Sequence, residues 1–87
     1  MAAAVNKEDV ERKVIDTIVE EMTIERENVK PESRLVEDLG AGSLHLIEIA
    51  FSLEEQFGVE LPPEAEQLIK TVSDITRLVG EALAKKE

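Results

Sequence analysis

Ser43 and His45 come nearest, among the residues of this chain, to a nucleophile beside a base. The chemistry would be acyl transfer, with the imidazole taking the hydroxyl proton. The spacing argues against it, because Ser43 opens an apolar-rich helical pattern and residues two apart on a helix do not face each other. No acid is placed to orient the imidazole, and hydration of a first-turn histidine accounts for His45. Glu20–Glu21 and Glu54–Glu55 are neighbours on charged helix faces, where solvation explains them better than acid–base work. One histidine and no cysteine leave nothing to build a metal site. The chain is therefore expected not to be an enzyme, with no catalytic residue and no metal ligand.

Ser43 can still be an acceptor. It follows Leu39-Gly40-Ala41-Gly42, where two glycines loosen the backbone, and it precedes Leu44-His45-Leu46. Its side chain suits an N-cap, accepting from free first-turn amides. The same terminus favours an anion, through unpaired N–H groups and the helix dipole. A hydroxyl in that place is open to another enzyme's active site, and a phosphoester formed there would meet those amides. On local chemistry alone an ordinary cap, with a contribution of about 1 kcal/mol, is the better explanation of the serine.

The elements that must position this serine are helical. The first helix begins after Asn6, a favoured N-cap, with Asp9 completing a variant capping box. Val10, Val14, Ile15, Ile18, Val19 and Met22 then form one apolar face over four to five turns. Residues 23–42 hold no period. Ile24, Val29, Leu35, Val36 and Leu39 are spaced apolar anchors, so a long loop pinned over the core is expected. The second helix runs from Leu44 to Phe57 and stops at Gly58 in a Schellman-type turn, with Val59 packing back. Its side chains separate into two stripes. Leu46, Ile49, Ala50, Leu53 and Phe57 form one, the core face. Leu44, Ile47 and Phe51 form the other, fringed by Glu48, Glu54 and Glu55. Leu61-Pro62-Pro63 breaks the chain, and Pro63 suits a first helical position. Ala65, Leu68 and Ile69 predict a short third helix of about two turns. Thr71 and Asp74 then cap a fourth helix bearing Val72, Ile75, Leu78, Val79, Ala82 and Leu83, with Gly80 on its polar side. The expected fold is all-α: a small four-helix bundle, three helices long and one short, with a long loop between the first two. Residues 1–5 are expected to be disordered, 6–84 to form the domain and 85–87 to fray.

Bulk composition narrows the partners. The 87 residues amount to one domain with one core, 43% of them hydrophobic but only Phe51 and Phe57 aromatic. Twenty acidic residues against ten basic ones give a net charge of −10. Such a surface repels nucleic-acid phosphate and anionic membranes, and is complementary to basic protein patches. The acidity also serves solubility without any partner. Met1-Ala2-Ala3-Ala4-Val5 lacks the features of a signal peptide and no stretch has transmembrane length, so a cytoplasmic protein is expected.

The run from Leu35-Val36-Glu37-Asp38-Leu39-Gly40-Ala41-Gly42-Ser43-Leu44, through Ile47-Glu48-Ile49, to Leu53-Glu54-Glu55-Gln56-Phe57-Gly58-Val59-Glu60-Leu61-Pro62 closely resembles the acyl carrier protein family. Thr71-Val72-Ser73-Asp74-Ile75 is similar to the family's last-helix start, and the resemblance spans Val10 to Leu83. It implies that Ser43 holds a covalent 4′-phosphopantetheine arm placed by a phosphopantetheinyl transferase. The arm's thiol would carry acyl intermediates as thioesters between enzymes of fatty-acid or related lipid and polyketide synthesis. It further implies a monomer whose Leu44, Ile47, Glu48, Phe51, Glu54 and Glu55 meet basic patches on those enzymes. Leu35, Val36, Leu53, Phe57, Leu61, Ile69, Ile75 and Leu78 would line a core that opens around the acyl chain. Two positions depart from the family pattern: Gly42 replaces the aspartate of Asp-Ser-Leu, and His45 stands where an acidic residue is common. The alternative reading follows from Gly42: a carrier-like interaction module that is not efficiently phosphopantetheinylated.

Overall fold

The computed structural model describes residues 7–86, the side chains of Lys7, Glu66 and Lys86 excepted. The expected disorder of residues 1–5 and the Asn6 cap lie outside the described residues. Helix α1 spans Lys7–Met22, α2 Ser43–Phe57, α3 Ala65–Leu68 and α4 Val72–Lys86, with a 3-10 turn at Arg26–Asn28. The protein is all-helical, and among the described residues there is no strand beyond an isolated antiparallel bridge between Arg34 and Thr71.

Each long helix buries one stripe. Val10, Val14 and Ile18 of α1, Ile49 and Leu53 of α2, and Val72, Ile75 and Val79 of α4 are almost fully removed from water and form one core. Helix α1 packs on both α2 and α4, while α3 lies against α2. Thr17, buried in α1, donates to the Lys13 carbonyl and accepts the amide of Gln56 at 2.6 Å, which ties α1 to α2 without an unpaired buried hydroxyl. Helix α2 ends as expected: Gly58 is left-handed at φ 63°, and the Val59 N–H donates to the Glu54 carbonyl.

Residues 23–42 are held from both ends and the middle. Ser33 and Lys30 exchange two hydrogen bonds of 2.9 Å, one of them through the Ser33 hydroxyl. The Leu35 N–H donates to Lys70, Val72 to Ser33 and Ser73 to Pro31, so the segment is stitched to the start of α4. Val29, Leu35 and Ala41 enter the core. Val36, expected as a further anchor, is instead 58% exposed. Arg26, just after α1, reaches back to pair with Asp16.

The third helix departs from its expected length and start. The third helix is one turn, not two, and it starts at Ala65 rather than Pro63. Ile69 leaves it in extended conformation because it must sink into the core and lead to the Arg34–Thr71 bridge, which turns Leu68 outward. At the other end, α4 continues helically through Lys86. Its start carries the full reciprocal cap: Asp74 accepts from Lys70 and Thr71, and its own N–H donates to the Thr71 hydroxyl at 3.2 Å.

Candidate functional site

A short coil closes on itself just ahead of Ser43. Asp38 accepts the Arg34 N–H at 2.8 Å, and the Asp38 and Leu39 amides return to the Arg34 carbonyl. Gly40 and Ala41 donate to Val36 and Leu35, with Gly40 at φ 76°, a conformation suited to glycine. The Arg34 guanidinium spans Glu37 at 2.7 Å and Asp38 at 3.4 Å. The Arg34 backbone N–H, then its side chain, hold the Asp38 carboxyl below the usual range, and the Asp38 contact raises the guanidinium in turn. Buried Ala41 plugs the end of this coil into the core. Ser43 is thereby carried on a fixed mount rather than on a free loop.

Helix α2 begins one residue earlier than its sequence suggests. Gly42, extended at φ −96° and ψ 178°, is the N-cap, and its carbonyl accepts the first helical bond from Leu46 at 3.1 Å. Ser43 is therefore the first helical residue, not the cap. Glycine offers no side-chain acceptor, so only the returning half of a capping box forms: the Gly42 N–H donates to His45 Nδ1 at 3.2 Å. His45 is correspondingly half-buried rather than freely solvated. The bond spends Nδ1 on the backbone, which removes it as a base for Ser43. Among the described residues no group hydrogen-bonds the Ser43 hydroxyl, which is exposed at the positive end of a four-turn helix. No group of three or more metal-binding side chains exists among the described residues. The arrangement suits an acceptor for a phosphoester and not a hydrolytic centre.

The two stripes of α2 differ in the way their spacing predicts. Leu46, Ile49 and Leu53 are buried, while Leu44 is 67%, Ile47 48% and Phe51 70% exposed. Glu48 and Glu55 are exposed beside that outer stripe. Glu54 is engaged, since its carboxylate accepts the Leu61 N–H at 2.8 Å and holds the segment after α2 against the helix. Ile47, Phe51 and Glu54 share a cleft of about 290 Å³ with Leu61, Pro62 and Pro63.

The eight residues expected to line an acyl chain do not gather around one space. Leu35, Leu53, Ile75 and Leu78 are packed into the core, and Phe57 is half-buried against it. Leu61 faces the cleft beside Phe51. Only Val36 and Ile69 meet in the larger cavity, about 390 Å³, where Leu46 joins them and Arg34, Glu37, Gln67 and Lys70 complete the wall. The polar wall was invisible in the sequence because residues 34–37 and 67–70 come together only through the bridge between Arg34 and Thr71. The His45 bond had a local signal, since the third residue after an N-cap is where capping boxes return.

The chain is similar to known proteins along most of its length. The chain is 44% identical over 62 residues to an acyl carrier protein of Helicobacter hepaticus, which covers 71% of this chain and 82% of that protein. It is 44% identical over 64 residues to an acyl carrier protein of Wolinella succinogenes, 74% of this chain and 84% of that one. The profile of the family described as "Phosphopantetheine attachment site" matches residues 12–79, from within α1 to within α4. By that match the chain belongs to the phosphopantetheine-attachment family, carriers rather than enzymes, whose prosthetic group is a covalently attached 4′-phosphopantetheine.

Proposed function

We propose that this chain is a discrete acyl carrier protein in which Ser43 holds the 4′-phosphopantetheine arm and acyl intermediates pass between enzymes of fatty-acid or related lipid or polyketide synthesis. The observation that carries the reading is the exposed, unpartnered Ser43 hydroxyl on the first residue of α2, on a coil locked by Arg34 and Asp38. The residues fit the group. A phosphoester at Ser43 gains the amides and dipole of the α2 N-terminus, and the extended Gly42 leaves open space ahead of it. When bound, the arm supplies a thiol that holds acyl groups as thioesters.

The outer stripe of α2 supplies the partner surface in this reading. Leu44, Ile47 and Phe51 offer apolar area, and Glu48, Glu55 and the engaged Glu54 draw basic patches of a transferase and of acyl-processing enzymes. Leu35, Leu53, Phe57, Leu61, Ile75 and Leu78 would yield to a long chain only by opening the core, with Val36 and Ile69 at its entrance. The single turn α3 serves as the short fourth helix of a bundle spanning residues 6–84. A cytoplasmic monomer fits this role, and no helix among the described residues is long and apolar enough to cross a membrane.

Gly42 favours a second reading, a carrier-like module that docks partners without the arm, because its position carries no carboxylate to help a transferase engage Ser43. Incubation with coenzyme A and several phosphopantetheinyl transferases, followed by intact mass measurement, decides between them. The carrier reading expects a gain of one phosphopantetheine, lost in Ser43→Ala. No gain on the native chain, with a gain in Gly42→Asp, gives the second reading.

A further inference from the structure

The start of α2 depends on an imidazole. The Gly42 N–H donates to His45 Nδ1 at 3.2 Å, and Gly42 brings no side-chain cap of its own. To accept that bond Nδ1 must keep its lone pair, so the imidazole is neutral with its proton on Nε2. Protonation puts an N–H on both ring nitrogens and leaves two donors facing each other. The oxygens of Thr71 and Asp74 that cap α4 accept throughout the neutral range, whereas imidazole changes charge between about pH 5 and 8. On α2 itself Glu48 lies three residues beyond His45. The coil before Ser43 carries Arg34, Glu37 and Asp38, which pair with one another. Among the described residues no charged side chain of α1, α3 or α4 pairs with the imidazole.

We propose that His45 is a proton-operated latch on the first turn of α2, closed on Gly42 while the ring is neutral and released when it is protonated, with a setting that depends on the charge at Ser43. Ser43 and Leu44 are the two residues that the bond brackets. An anion attached at Ser43 favours the imidazolium, so its arrival moves release to higher pH. That second half rests on the carrier reading, in which the anion is the phosphodiester of the arm; the latch itself does not. Between the two settings the unloaded chain keeps its first turn closed and the loaded chain does not. Leu44, 67% exposed at the head of the outer stripe, lies in that turn, so the release reaches the partner-facing side of α2.

The test follows the His45 ring nitrogens and the Gly42 amide by ¹⁵N NMR against pH, at low salt, on the full chain. Wild type, Ser43→Asp, His45→Glu and the transferase-treated chain are compared. In the wild type the alkaline form should carry its proton on Nε2, and the Gly42 amide should move with the same midpoint as the ring. His45→Glu, which keeps an acceptor without an imidazole, should abolish that movement. Ser43→Asp supplies a negative charge without any arm, and it should tighten proton binding at His45 roughly twofold, the effect of a unit charge across about 8 Å of water. Added salt should shrink that difference. A proton on Nδ1 in the alkaline form overturns the latch, as does a Gly42 amide that ignores the ring. A midpoint unmoved in both Ser43→Asp and the loaded chain overturns its dependence on Ser43. Intact mass reads loading separately. No mass gain sinks the carrier reading while a raised midpoint in Ser43→Asp upholds the latch and its coupling, and a mass gain with an unmoved midpoint sinks the coupling alone.

Discussion

The N–H of Gly42 donates to Nδ1 of His45 at 3.2 Å, so the residue before Ser43 and the residue two after it close the first turn of α2 together. Gly42 has no side chain to cap the helix, and His45 takes up the one interaction that remains. His45→Ala should therefore cost roughly 0.5–1 kcal/mol, within the range of a lost capping bond. His45→Glu should retain most of that stability, because glutamate returns to the N-cap amide in the usual capping box. Urea unfolding midpoints of the three proteins check this. Equal midpoints for His45→Ala and the wild type would show that the bond contributes nothing.

Gly42 itself is under no conformational demand. Its φ of −96° is ordinary for any residue, and a Cβ there meets nothing within 4 Å. Gly42→Asp should fold normally and gain a few tenths of a kcal/mol from a side-chain cap. Transferase rates measured on that variant thus report chemistry at Ser43 and not repair of a strained loop. A clear loss of thermal stability would contradict this account.

These two residues also show where sequence reading stops. The two stripes of α2, the left-handed Gly58 and the Thr71–Asp74 box were legible because each rests on spacing within one helix or turn. The start of α2 was misplaced by one residue because serine is a better cap than glycine by composition, yet the backbone put Gly42 in the capping conformation. The shortening of α3 was not legible, since Ile69 leaves the helix to satisfy contacts with distant Arg34 and Thr71. Local propensity cannot register that competition, nor the cavity wall it creates.

The stripes of α2 predict opposite mutant behaviour. Leu53→Ala removes a completely buried side chain and should cost about 2–5 kcal/mol, a large part of the stability of so small a domain. Phe51→Ala, at 70% exposure, should leave the unfolding midpoint nearly unchanged. Its effect should appear instead as a raised KM with partner enzymes. If Phe51→Ala unfolds the protein as Leu53→Ala does, the outer stripe is structural.

Asp74 gives a pH signature whose sign can be worked out. Its carboxyl is held below the usual range, chiefly by the Lys70 N–H, then by the Thr71 N–H and the charge of Arg77. Because the folded value is depressed, its stabilisation is full above the unfolded value near 3.9 and is lost as pH falls through the folded value. Acidification also relieves the repulsion of a chain with net charge −10, so the total curve need not fall monotonically. The difference between wild type and Asp74→Asn isolates the cap. That difference should be roughly 1 kcal/mol at neutral pH, the usual size for a capping interaction. It should begin to shrink as pH drops below about 4, where the unfolded carboxyl protonates, and vanish once pH has passed the depressed folded value. Urea midpoints of both proteins, measured across that range, supply the comparison. A difference that stays constant with pH would mean that the Asp74 carboxylate is not what caps α4.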